Sequence, residues 1–157
     1  MGAAPRIAPA DPRDPAVEQL LAVYRAELDE RFPGGFQPPP NWAATRDALV
    51  PPSGTLLLLH LDGSPAGIGA VRVLEPGVAE IKHMWVAPAG RGRGLGRALL
   101  AALEQAARDL GCTRALLDTD AVLHEAVTLY EAVGYERIER YNANEHACAI
   151  FMGRELG

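Results

Sequence analysis

Residues 91–97 read Arg-Gly-Arg-Gly-Leu-Gly-Arg, and arginines interleaved with glycines suit one chemistry, the holding of an anion. Arginine offers a planar fork of N–H donors that meets phosphate or carboxylate oxygens two at a time. Glycine lets the backbone come close to a ligand. Behind this loop Leu95, Leu99, Leu100, Leu103, Ala106 and Leu110 recur at spacings of three and four, with Gly111 after them. That pattern predicts a helix and its stop. The first turn of such a helix turns unpaired N–H groups and the positive end of its dipole toward the loop. Ahead of the loop, Glu80–Val86 is rich in large and β-branched residues and closes before Pro88, which predicts a strand. Strand, turn and helix make an anion cradle suited to a pyrophosphate. The Gly-Lys-Ser/Thr ending of a P-loop is missing, which argues against Mg-nucleotide chemistry. The dinucleotide pattern fails as well, because its third glycine would fall on Arg97.

A second segment, Ala126-Val-Thr-Leu-Tyr-Glu-Ala-Val-Gly-Tyr135, places Gly134 and an aromatic four and five residues after Tyr130. Arg91-x-x-Gly94-x-Gly96 behind Val86-Ala-Pro88, followed by this segment, resembles the paired motifs of the GCN5-related N-acetyltransferases, the GNAT superfamily. The resemblance covers nearly the whole chain, most firmly residues 65–140. It implies one domain over residues 1–157, of class α/β (α+β), with a GNAT fold: a mixed central sheet of about six to seven strands with helices on both faces. It also implies acetyl-CoA as co-substrate without a metal, and acetyl transfer to a primary amine of a small molecule or peptide by direct attack in a ternary complex. The implied cofactor contacts are Met84, Trp85 and Val86, whose backbone would pair with the pantetheine arm like an added strand, and Arg91, Gly92, Arg93, Gly94, Leu95, Gly96 and Arg97. Many relatives carry Asn or a similar residue seven positions before the tyrosine. Here that position is Leu123, which puts one polar contact to the cofactor in question.

Acetyl transfer to an amine needs three things. A lysine-like amine has a pKa of roughly 10.4 and must lose a proton. The carbonyl oxygen gains charge and needs donors, and the departing thiolate is helped by an acid. Glu80 is the candidate base, since the lysine-acetylating branch of the superfamily carries a glutamate six residues before the last apolar position of this strand. A solvent-facing glutamate is the plainer reading. Alternation puts Glu80, Lys82, Met84 and Val86 on one face and Ile81, His83 and Trp85 on the other, and a bulge would swap the parity beyond it. His83 is a reserve base or substrate contact. Tyr130 is the candidate general acid, with a packing aromatic as its alternative.

The remaining elements must position these groups. A short strand at residues 6–8 precedes a helix that starts at Asp14-Pro15 and runs to about Arg31, along an apolar stripe. After a proline-rich connector, a short helix at 42–49 leads to strands at about 55–61 and 66–74, joined at Asp62-Gly63. A strand at 113–117, parallel to the central one, follows the loop's helix. After the tyrosine-bearing helix come two strands at about 135–141 and 146–153. Phe36 and Trp42 in the connector, and Tyr141 and Asn142 in the last turn, are candidates for substrate contacts.

The chain has 157 residues, 48% hydrophobic and 22% charged, with a net charge of −5. This fits one domain with a real core and argues against nucleic-acid binding. It mildly favours cationic substrates, although such a charge also simply confers solubility. Cys112 and Cys148 lie in apolar surroundings and are expected to be buried thiols. No run is long enough to span a membrane, and the start shows neither a signal core nor a myristoylation pattern, so a cytoplasmic protein is expected. The oligomeric state stays open between a monomer and a homodimer. A non-catalytic acetyl-CoA sensor is the alternative function, against which the joint presence of Glu80 and Tyr130 speaks.

Overall fold

Leu56–Leu59 is apolar without a break because its strand is covered on both faces. Leu57 and Leu59 enter one core, Leu56 and Leu58 another, as expected of a strand buried between two layers. The computed structural model describes residues 4–38 and 40–157; the start of the chain, read above for a leader or lipid site, is outside them at residues 1–3. The strands are β1 (Arg6–Pro9), β2 (Gly54–Leu61), β3 (Ser64–Glu75), β4 (Val78–Val86), β5 (Arg114–Asp120), β6 (Glu136–Arg137) and β7 (Ala149–Glu155). The helices are α1 (Pro15–Arg31), α2 (Trp42–Asp47), α3 (Leu95–Asp109) and α4 (His124–Val133). One seven-stranded sheet runs β1-β2-β3-β4-β5-β7-β6. Its pairs are antiparallel except β4 with β5, joined in parallel through α3. The chain therefore has the mixed sheet with helices on both faces that the sequence predicts.

Each helix follows from local chemistry. Asp14 caps α1, its carboxylate accepting the Ala16 N–H at 2.9 Å, and Pro15 takes the position where no N–H is needed. Val17, Leu20 and Leu21 then pack on one face of the sheet with Ile68, Ala70 and Trp85. On the opposite face Leu99, Leu100 and Leu103 of α3 are fully buried, each contributing about 1.5–3 kcal/mol by burial. Gly69 lets α3 lie close: a Cβ there would sit 2.6 Å from a Leu103 methyl.

Two features of the sheet position the site. The β4/β5 ladder ends at Glu80↔Leu116, so beyond Glu80 the two strands splay and β4 has an open edge. Second, β4 carries one extra residue between Lys82 and Trp85 relative to Ala70 and Ile68 of β3. His83 sits in this bulge with φ 55, a conformation non-glycine residues seldom adopt. Simple alternation along β4 is thereby overturned. Glu80, Lys82 and Trp85 lie on the α1 face, while Met84 and Val86 pack against the α3 core.

The last hairpin is shorter than predicted, its first strand being only Glu136–Arg137. Asn142 and Asn144 each accept a backbone N–H two residues on, at 2.9 and 3.0 Å; such turns compete with a strand ladder. Cys112 is buried as expected, but Cys148 is exposed.

Candidate active site

A cleft of about 510 Å³ runs from the start of α3 to the splay between β4 and β5. Met84, Trp85, Val86, Arg91, Gly92, Gly94, Leu95, Gly96 and Arg97 line it, as does Tyr130. Arg93 is exposed beside it. The turn before α3 has the local geometry its glycines predict. Gly94 caps α3 at φ 74, and the first main-chain bond of the helix runs from the Ala98 N–H to the Gly94 carbonyl. The N–H groups of Leu95, Gly96 and Arg97 are thus without partners inside the helix. A Cβ at Gly92 or Gly94 would meet no atom within 4 Å, so the backbone is open to a ligand on that side. Leu123 lines the same cleft and gives α4 no side-chain cap, so a polar contact at that position is absent.

Arg91 is engaged by one side chain that the sequence did not single out, Glu27. Its guanidinium donates to Glu27 Oε1 at 2.6 Å and to the Val86 carbonyl at 2.9 Å. Glu27 also accepts from the Trp85 indole at 3.3 Å and pairs with Arg31 at 3.7 Å. Arg31 in turn binds Glu125 and the Val122 carbonyl; that guanidinium pulls the Glu125 carboxyl down to about 2. An ionic chain from the loop through α1 to α4 therefore borders the cleft. Tyr24, Glu27, Leu28 and Arg31 all line the cleft, and their spacing of three, four and seven puts them on one helical face. That spacing was the available signal.

At the inner end, the Tyr130 hydroxyl has only a weak partner, the Met84 sulfur at 4.0 Å. Burial first, then Tyr24 and Asp118, push this phenol well above its ordinary pKa. It is a protonated donor at every physiological pH.

Glu80 is 0% exposed and forms the hub of a separate cluster on the α1 face. Oε2 accepts from the Tyr141 hydroxyl at 2.6 Å and the Asn142 amide at 3.3 Å. Oε1 faces Arg72 at 3.1 Å and Lys82 at 3.3 Å. Burial alone would raise the carboxyl, but Lys82, Tyr141, Arg72 and Asn142 together overcome it and hold the group below its usual value. The solvent-facing reading of Glu80 is thus excluded, and Tyr141 and Asn142 are brought onto it. His83 stacks edge-on to Trp42 with centroids 5.1 Å apart. Burial and the neighbouring cations hold its pKa down to about 3, so it is neutral. Phe36 instead packs edge-on to Phe32 at 5.8 Å, and Phe32 touches His146. Among the described residues no group of three or more His, Cys, Asp or Glu is placed to hold a metal, and no helix is long and apolar enough to cross a membrane.

Residues 21–135 match the acetyltransferase (GNAT) family. The uncharacterized N-acetyltransferase YjgM of Escherichia coli is 32% identical over 150 residues, spanning 91% of this chain and 89% of that protein. The IAA acetyltransferase of Azospirillum brasilense is 34% identical over 130 residues, 82% of each chain. Among solved structures, a Klebsiella pneumoniae chain assigned as an acyl-CoA N-acyltransferase superposes with a TM-score of 0.81 at 28% identity, covering 99% of this chain and 100% of that one. A Salmonella typhimurium acetyltransferase structure containing acetyl-CoA has the same fold, with a TM-score of 0.74 at 20% identity over 99% of this chain and 95% of that one. With its cradle, splayed strands and family match in agreement, the chain belongs to the GNAT family of acetyltransferases.

Proposed function

We propose that the protein transfers an acetyl group from acetyl-CoA to a primary amine of a small molecule or peptide, by direct attack in a ternary complex. The observation that carries this reading is the Tyr130 hydroxyl, a donor with no strong partner, at the far end of a cleft that begins at an anion cradle. Arg97 and the N–H groups of Leu95 and Gly96 would hold the pyrophosphate, and the open edge of β4 beyond Glu80 would take the pantetheine arm. Acetyl-CoA supplies a thioester whose carbonyl carbon bonds to the amine nitrogen as its bond to sulfur breaks. Tyr130 delivers its proton to that sulfur, while N–H groups along Met84–Val86 stabilise the carbonyl oxygen. Glu80 accepts the proton that the nitrogen sheds, through the Tyr141 hydroxyl, whose own proton already points at Oε2.

Release of CoA over a panel of amines tests the reading. Tyr130→Phe is expected to lower kcat by about 10²-fold with acetyl-CoA affinity unchanged; equal turnover would remove Tyr130 from the mechanism. A second expectation concerns Arg91, which Glu27 holds at 2.6 Å. Glu27→Gln frees that guanidinium for phosphate and is expected to tighten acetyl-CoA by about two- to fivefold in calorimetry. Weaker binding would mean that Glu27 orients Arg91 rather than competing for it.

A further inference from the structure

We propose that the amine acceptor carries an oxyanion of its own, a carboxylate or phosphate, held by Arg25, Arg72, Lys82 and His83 beside Glu80. This rests on the acetyl-transfer reading for the amine, and on separate observations for the anion. The bulge in β4 turns His83 onto Trp42, 5.1 Å away, and the Arg25 guanidinium lies over the same indole ring at 4.9 Å. Arg72 and Lys82 reach Glu80 from the neighbouring positions of β3 and β4. Among the charges that bear on the His83 ring, those of Lys82, Arg25 and Arg72 are positive and that of Glu80 is negative. Glu18 and Asp118 add negative charge near this face, Glu18 accepting the Trp42 indole N–H at 3.1 Å and Asp118 the Asn144 amide at 2.7 Å, and neither neutral donor removes that charge.

The second observation is the state of the donors. Arg25 Nη2, Arg72 Nε and His83 Nε2 are buried and without a hydrogen-bond partner, three of the five such side-chain atoms among the described residues. Buried polar groups are nearly always paired, and each orphan costs stability. Three gathered on one face, beside the carboxylate read as the base, await a partner: the two guanidinium groups are donors, and the imidazole donates in the tautomer with its proton on Nε2. Guanidinium forks suit a carboxylate or phosphate, and a neutral imidazole adds an N–H without further charge. The acidic net charge of the chain mildly favours cationic acceptors; the unpartnered guanidinium groups at the acceptor face point the other way.

The test pairs each amine with a partner lacking the anion: an amino acid with its amide, and ethanolamine phosphate with ethanolamine. Two readouts are taken with wild type and Arg25→Gln, since Arg25 makes no bond to Glu80, and Arg72→Gln serves if that variant does not fold. The first is kcat/KM by CoA release. The second is calorimetric binding of N-acetyl amino acids and their amides, and of the two N-acetylethanolamines, to the protein with CoA. At least one anionic member is expected to be preferred about tenfold or more, with the preference collapsing in the variant through KM. The pair that shows it distinguishes carboxylate from phosphate. Equal binding of anionic and neutral members, or a preference untouched by both variants, overturns the oxyanion site whatever the turnover. Anion-selective binding without turnover of any amine upholds the site and instead overturns the transfer reading.

Discussion

Gly94→Val is expected to weaken acetyl-CoA binding by more than about 100-fold, a loss of nearly 3 kcal/mol of binding energy. Two effects combine. Gly94 holds φ 74 at the cap of α3, where an L residue costs about 1–2 kcal/mol and a β-branched one more. Its Cβ would meet no protein atom within 4 Å, and Gly94 lines the cleft. The added methyls thus occupy the space of the ligand while the strain turns the first N–H groups of α3 away from it. Gly111 separates the two effects. It sits just beyond the other end of α3 at φ 87, also with nothing within 4 Å of its Cβ. Gly111→Val is expected to lower Tm comparably and to leave acetyl-CoA affinity intact. Calorimetry on both variants decides: undiminished affinity in Gly94→Val would show that the anion is held elsewhere.

The turn and helix α3 were readable because their signals are local. Leucines at helical spacing, a glycine at each end of α3 and arginines in the turn specify the element without reference to the rest of the chain. The unbroken leucines of β2 likewise marked a strand, which the structure covers on both faces. The bulge at His83 has no such local sign: it arises from the register of β3 against β4, and a one-residue change of register flips every later side chain. The same limit hid the partners of Arg91 and Glu80. Glu27 and Tyr141 are 64 and 61 residues away in sequence, and a Glu27–Arg31 pair at helical spacing reads as an ordinary solvated face. The shortened β6 did leave a trace. Asn142 and Asn144, spaced to accept N–H groups two residues on, favour turns over a ladder.

Glu80 offers the largest effect on both stability and turnover. Glu80→Leu is expected to cost about 3–5 kcal/mol, the usual penalty for stranding the partners of a buried charge, here Arg72, Lys82 and the Tyr141 hydroxyl. Against a whole-protein stability of about 5–15 kcal/mol, that is enough to compromise folding, so Glu80→Gln carries the mechanistic test. The glutamine oxygen keeps an acceptor for Tyr141 and Asn142, while the charge is lost and an NH2 group takes the place of the oxygen that faces Arg72 and Lys82. Because the folded protein holds the Glu80 pKa below the ordinary glutamate value, the ionised form contributes stability that is fully present above that value. This contribution is lost as pH falls through the lower folded-state pKa. The Tm gap between wild type and Glu80→Gln is therefore expected to be wide at neutral pH and to close in acid. A gap that stays constant down to pH ~3 would show that Glu80 is not the source of that stability. Turnover separates the proton-accepting role from the structural one. Glu80→Gln is expected to lower kcat/KM by about 10²–10³-fold, with the deficit widening as pH falls and free amine becomes scarce. A deficit of equal size at every pH would make Glu80 a positioning residue, one that holds Tyr141 and Asn142 in place while another group takes the proton.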